Sequence, residues 1–103
     1  MEELKIEKKQ ENGVLTVTPE GRVDNATASQ LEAQIKESLE GVQKIVLEFE
    51  KVTYISSSGL RVLLNFHKAM EDKGGELIVR KPVELVMGVF DVTGFNGVLN
   101  IER

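Results

Sequence analysis

The stretch KIVLEFEKVTYISSSGLRVLL, Lys44 to Leu64, decides how this chain is read. It opens on KIVLEF, Lys44 to Phe49, a β-rich run with too little polarity for an exposed edge, which predicts a central strand. VTYI, Val52 to Ile55, is strand-like again. Three serines and a glycine follow, Ser56 to Gly59, where the hydrophobic pattern is strongest, and the apolar run resumes at Leu60. A core-building segment has no use for three hydroxyls. They form a structural joint, a working site, or both.

Beyond the joint, Leu60 to Lys73 reads as a helix. Arg61, Asn65, Lys68 and Asp72 make one narrow polar stripe, and Leu60, Val62, Leu63, Leu64, Phe66 and Met70 cover most of the rest. A helix so widely apolar is packed between other elements. Gly74-Gly75 ends it, and ELIVR, Glu76 to Arg80, supplies a strand. Pro82 then opens a third helix with Leu85, Val86, Val89 and Phe90 apolar and Gly94 as its stop, and Val98 to Ile101 gives a last short strand.

On the N-terminal side, Leu4 and Ile6 alternate with Lys5 and Glu7, and VLTV begins at Val14. Asn12-Gly13 between them is the dipeptide favoured where a two-residue hairpin turn needs φ > 0. The first twenty residues read as a hairpin closed by Pro19 and Gly21. Ala28, Leu31, Ile35, Leu39 and Val42 then share one helical face, with Gly41 as the stop. Thr27 followed by Gln30 fits a capping box, and Asp24 or Asn25 fits a cap one turn earlier. The order β-β-α-β-α-β-α-β implies right-handed crossovers and a mostly parallel sheet behind the antiparallel opening hairpin. The expected fold class is α/β, as a single domain over residues 1–103.

Composition narrows the chemistry. A chain of 103 residues supports one core and needs no disulfide or metal staple. The absence of cysteine removes disulfides, thiol catalysis and zinc–thiolate sites together. No signal peptide is visible in MEELKIEKKQ, and no apolar run approaches the ~20 residues that span a bilayer. The expected location is cytoplasmic, without direct membrane insertion. A net charge of −4, with lysine and arginine dispersed, offers no basic face for nucleic acid.

At the serine cluster one serine is expected to cap the following helix, and Gly59 lets another group approach the backbone closely. The same helix start carries unpaired N–H groups and a partial positive charge, which favours an anion. Nucleophilic catalysis by Ser56, Ser57 or Ser58 would need a base within about 3 Å. His67 is the sole histidine, and ten helical residues from Ser57 is about 15 Å. The glycine spacing of a nucleophile elbow and the lysine of a phosphate-binding loop are both missing. A phosphate on a serine here would add about −1.5 to −2 charges at an exposed helix start, acting on a partner rather than on the fold. No metal or cofactor is expected.

Taken in order, these segments resemble the STAS domain family of bacterial anti-sigma-factor antagonists over nearly the whole chain. GRVDNATA (Gly21 to Ala28) resembles the family's G-x-[LI]-D segment, and Lys44 to Leu64 resembles its strand, loop and phospho-site helix. GGELIVRKP (Gly74 to Pro82) and VFDVTGF (Val89 to Phe95) resemble the following strand and third helix. The family loop usually reads I-D-S-S-G-L, with the serine after the aspartate phosphorylated by a partner kinase. The resemblance makes Ser57 the phospho-acceptor, ahead of Ser56 or Ser58, with Ser56 in the aspartate position. Asp24 matches the aspartate of G-x-[LI]-D.

The resemblance implies a non-enzymatic, partner-switching regulator of transcription. Unphosphorylated, such a protein binds a GHKL-type anti-sigma-factor kinase, and a PP2C-type phosphatase resets it. Asp24, Ser56, Ser57, Ser58, Gly59, Arg61 and Asn65 are the partner-binding residues this implies. The alternative is a STAS module never phosphorylated, serving as a scaffold, a sensor component or an accessory subunit of a lipid or anion transporter. Two departures stand out. Ser56 removes a negative charge beside the acceptor, and the chain ends at Arg103, where many members continue into a further helix.

Overall fold

The computed structural model describes residues 4–103, so the first three residues of the expected hairpin lie outside it. β1 (Lys5–Glu11) and β2 (Val14–Val23) pair antiparallel, from Lys5 opposite Glu20 to Glu11 opposite Val14. Asn12 and Gly13 both take positive φ, +52° and +79°, as the Asn-Gly signal predicts for a turn matched to strand twist. α1 (Asn25–Lys36), β3 (Lys44–Glu48), β4 (Val52–Ile55), α2 (Ser57–Asp72), β5 (Glu76–Arg80), α3 (Glu84–Thr93) and β6 (Asn100–Glu102) follow, with a 3-10 turn at Phe95–Gly97. The sheet runs β1-β2-β3-β5-β6, with β4 paired to β2 and every pairing after the hairpin parallel. The α/β expectation holds, and β3 is central, with Ile45, Val46 and Leu47 buried.

Several expectations change. The hairpin does not close at Pro19 and Gly21, because β2 runs on to Val23. β2 pairs with β3 over Val14 to Val17 and with β4 from Gly21 onward. Pro19 falls in the interval between those ladders, where a missing N–H costs no parallel rung, and the register irregularity sits at Gly21/Arg22. VTYI is a strand in its own right, which makes six strands among the described residues instead of five. A turn separates it from β3, with the Val52 N–H donating to the Phe49 carbonyl at 3.0 Å.

The first helix stops at Lys36, not at Gly41. Val42 is fully buried and Leu39 packs on the core, but both do so from the connecting turn, where burial imitates helical period. Lys8 secures this end. Its ammonium donates to the Gln34 carbonyl (3.1 Å) and the Ser38 hydroxyl (2.9 Å), and it pairs with Glu37 at 2.8 Å. A cation here complements the negative end of the helix dipole.

α2 begins three residues earlier than expected and buries Gly59, Leu60, Val62, Leu63, Phe66, His67 and Met70, leaving Arg61, Asn65, Lys68 and Asp72 exposed. α3 buries Val86 and Phe90, while Leu85, one of the four apolar residues of this helix, is 62% exposed. The final strand falls two residues later at its start than expected, leaving Val98 exposed. Across the sheet, Arg80 bonds Glu48 on β3 (2.7 Å) and Glu102 on β6 (2.9 Å). Its pKa is raised, chiefly by the Glu102 bond and then by the Glu48 charge.

Candidate functional site

The joint is built by two neighbouring parallel strands that end at the same level. Arg22 lies opposite Tyr54 and Val23 opposite Ile55, and the Ser56 N–H donates to the Val23 carbonyl at 2.8 Å. Each strand feeds a helix through a capping residue. Asp24 caps α1 and Ser56 caps α2, so two helix N-termini open side by side.

Asp24 Oδ1 accepts from the Ala26 and Thr27 N–H groups, each at 3.0 Å. The Thr27 hydroxyl in turn accepts from the Asp24 N–H (2.8 Å), so the capping box is Asp24 with Thr27, not Thr27 with Gln30. Gln30 donates instead to the Leu4 carbonyl (2.7 Å), tying α1 to the chain entering β1.

The Thr27 N–H is the main cause holding the Asp24 carboxyl below its usual 3.8. Burial opposes this, while the Thr27 hydroxyl, the Ala26 N–H and the Arg22 charge reinforce it. A carboxyl lowered on folding stabilises the fold above its unfolded value and loses that contribution as pH falls through its folded value. Asp24→Asn keeps a capping side chain but not the charge. Its unfolding free energy, followed by urea melts from neutral pH downward, is therefore expected to fall less steeply in acid than that of the unsubstituted chain.

The three serines hold different positions. Ser56 Oγ accepts from the Gly59 N–H at 3.2 Å, closing the first turn of α2. Ser58 donates to Asn25 Oδ1 at 2.7 Å, binding the start of α2 to the start of α1. Ser57 is exposed, and among the described residues its hydroxyl makes no protein hydrogen bond. Gly59 seats the helix on the sheet. A Cβ there would lie 2.7 Å from side-chain carbons of both Val23 and Ile55, closer than carbon atoms pack.

Asp24, Ser56 and Ser57 line one shallow polar cleft of about 400 Å³, together with Arg22, Asn25, Ala26 and Tyr54. The Arg22 guanidinium carbon lies 4.4 Å from the Tyr54 ring centroid, a cation–π contact. Ser58 and Gly59 stand just inside the first turn. Arg61 and Asn65 continue from Ser57 at four-residue spacing along the exposed face, and Lys68 follows three residues further on, so the polar stripe runs directly out of the cleft. Sequence reasoning missed Arg22 and Tyr54. Pairing them requires β4 as a separate strand beside β2.

α2 is one uninterrupted helix, which puts His67 about 15 Å along it from Ser57. The ring is buried, with Nε2 3.5 Å from Glu71 Oε1 and, among the described residues, Nδ1 without a partner. An unpartnered buried polar atom costs roughly 1–3 kcal/mol. His67→Leu is thus expected to be neutral or stabilising by about 1 kcal/mol in a urea melt, where a histidine with a required bond would show a clear loss. No helix among the described residues is long and apolar enough to cross a membrane, and no cluster of metal-ligating side chains occurs among them.

Comparison with known proteins agrees with this architecture. The STAS domain family model matches residues 5–103, and the chain belongs to that family. BtrV of Bordetella bronchiseptica, named for a proposed role as an anti-sigma factor antagonist, is 36% identical over 85 residues, covering 82% of this chain and 73% of that protein. The anti-sigma F factor antagonist of Paenibacillus polymyxa is 32% identical over 100 residues, covering 95% and 86%. Among solved structures, unphosphorylated SpoIIAA, an anti-sigma factor antagonist, superposes with a TM-score of 0.80 at 22% identity, covering 97% of this chain and 88% of that one. The phosphorylated form of the Bacillus SpoIIAA superposes at 0.74 and 20% identity, covering 96% and 92%. At these identities the structures establish the shared fold.

Proposed function

We propose that this protein is an anti-sigma factor antagonist that works by switching partners, with Ser57 as its phosphate acceptor. In this reading the unphosphorylated chain binds an anti-sigma factor that is also a GHKL-type serine kinase, freeing a sigma factor. The kinase moves the γ-phosphoryl group of ATP to Ser57 Oγ, releasing ADP and the hydroxyl proton, and the new charge ends binding. A PP2C-type phosphatase hydrolyses the ester and restores the first state. The protein is then a regulatory switch in the cytoplasm and not an enzyme.

The observation that carries the assignment is the unequal use of the three serines. Ser56 and Ser58 use their hydroxyls at the helix start, and among the described residues Ser57 alone of the three presents an unbonded one at the mouth of the cleft. Relatives named as anti-sigma factor antagonists support the role, and SpoIIAA is a protein of this fold with a phosphorylated form. The test is incubation with the cognate kinase and ATP, followed by mass-spectrometric mapping. One phosphate on Ser57, absent in Ser57→Ala, is expected; transfer to Ser56 or Ser58, or none, overturns the assignment.

A second reading follows from Ser56, which stands where the resemblance places an aspartate. A STAS scaffold or transporter subunit that is never phosphorylated would take no phosphate and would co-purify from its host with membrane ATPase components.

A further inference from the structure

We infer that Arg22 is the counter-charge for a phosphate on Ser57, held ready over the Tyr54 ring; this rests on Ser57 being the phosphorylated residue. Arg22 and Tyr54 are register partners at the ends of β2 and β4, and both line the cleft that Ser57 lines. The cation–π contact holds the guanidinium carbon over the Tyr54 ring, 4.4 Å from its centroid. Among the described residues the guanidinium N–H groups donate no hydrogen bond, and that fork is the part that pairs two-pronged with phosphate. Among the described residues Arg22 lies within ion-pair distance of no carboxylate.

Charge in the cleft makes such a partner necessary. Among the described residues, the charged ones lining it are Arg22 and Asp24 alone, and Asp24 Oδ1 already accepts two α1 N–H groups. A phosphate would bring about −1.5 to −2 charges into the same cleft as that carboxylate. The first N–H groups of α2 offset part of this, since they have no acceptor within the helix. Arg22 supplies the full positive charge among these lining residues. Its stem is anchored on β2 and its head is placed by the ring, so little freedom is lost when it turns to the phosphate. Arg22 is in this sense a positioning residue for the phosphorylated state, without a part in the transfer itself.

The experiment uses the full chain with phosphoserine installed at position 57 during synthesis, so no kinase is involved. Phosphorus NMR then follows the phosphate's second ionisation. With Arg22 present it is expected to occur roughly half a pH unit or more below the ordinary value near 6, because a neighbouring cation favours the dianion. Arg22→Gln should return it to about 6, and Arg22→Lys should keep part of the shift. Tyr54 is the only tyrosine and the chain has no tryptophan, so its emission reports the guanidinium directly. Phosphorylation should change that emission when Arg22 is present and leave it unchanged in Arg22→Gln. Equal ionisation in the unsubstituted chain and in Arg22→Gln overturns the inference, even if a kinase phosphorylates Ser57. Coupling without any transfer by the kinase would instead defeat the proposed function and leave the pairing standing.

Discussion

Gly75→Ala is expected to lower the melting temperature by about 15 °C, near the most a single methyl group can do to a domain of this size. An added Cβ would overlap the backbone carbonyl oxygen of Gln43, with the carbonyl carbon 3.1 Å away. That oxygen is already engaged as acceptor for the Glu76 N–H at 3.2 Å, at the first rung between β3 and β5. It cannot retreat without breaking the rung that sets the register of both strands. Neither can the chain on the other side, because the Gly75 N–H donates to the Met70 carbonyl at 2.7 Å, at the end of α2. Overpacking costs typically 1–3 kcal/mol where side chains can yield, and here the neighbour is backbone, so the loss lies at or above about 3 kcal/mol. Gly88→Ala is the matched control. A Cβ at that helical position meets nothing within 4 Å, and the substitution should stabilise by about 0.5–1 kcal/mol through helix propensity. Equal effects in thermal melts of the two variants would refute the packing argument.

The contrast between these glycines shows where the sequence was informative and where it was not. Gly74-Gly75 reads correctly as the end of a helix, yet nothing local says that one of the pair must let a neighbouring strand's carbonyl pass. The same limit explains the other differences. Asn12-Gly13 specifies its turn because the conformation it needs is local to two residues. Leu39 and Val42 misled because burial, not helical geometry, is what a hydrophobic period records, and a packed turn supplies it equally well. At the site, the serines and Asp24 are legible since each is a capping residue or lies within two positions of one, at the start of its helix. Arg22 and Tyr54 are not, because they meet only once β2 has been extended past Pro19 and β4 laid beside it.

Ser57→Asp is expected to fold as the unsubstituted chain does, with a melting temperature within about 2 °C, while weakening kinase binding roughly 100-fold. The two halves of this result have separate causes. Position 57 is the first residue of α2, exposed, with its side chain free of the cap and of the Asn25 bond. A carboxylate in the first turn complements the helix dipole, so the fold has no reason to suffer. A partner that covers the cleft would meet a new charge at the centre of its contact, where desolvation is most complete and an unpaired charge costs most. Ser57→Ala should bind normally and take no phosphate. Ser56→Ala gives the complementary pattern. It removes the hydroxyl that accepts from the Gly59 N–H and should cost about 1 kcal/mol of stability, without blocking transfer to Ser57. Calorimetric melts and titrations of the four proteins against the kinase separate these roles. If Ser57→Asp unfolds early, position 57 belongs to the cap; if it binds the kinase as tightly as serine does, charge at this position is not the switch.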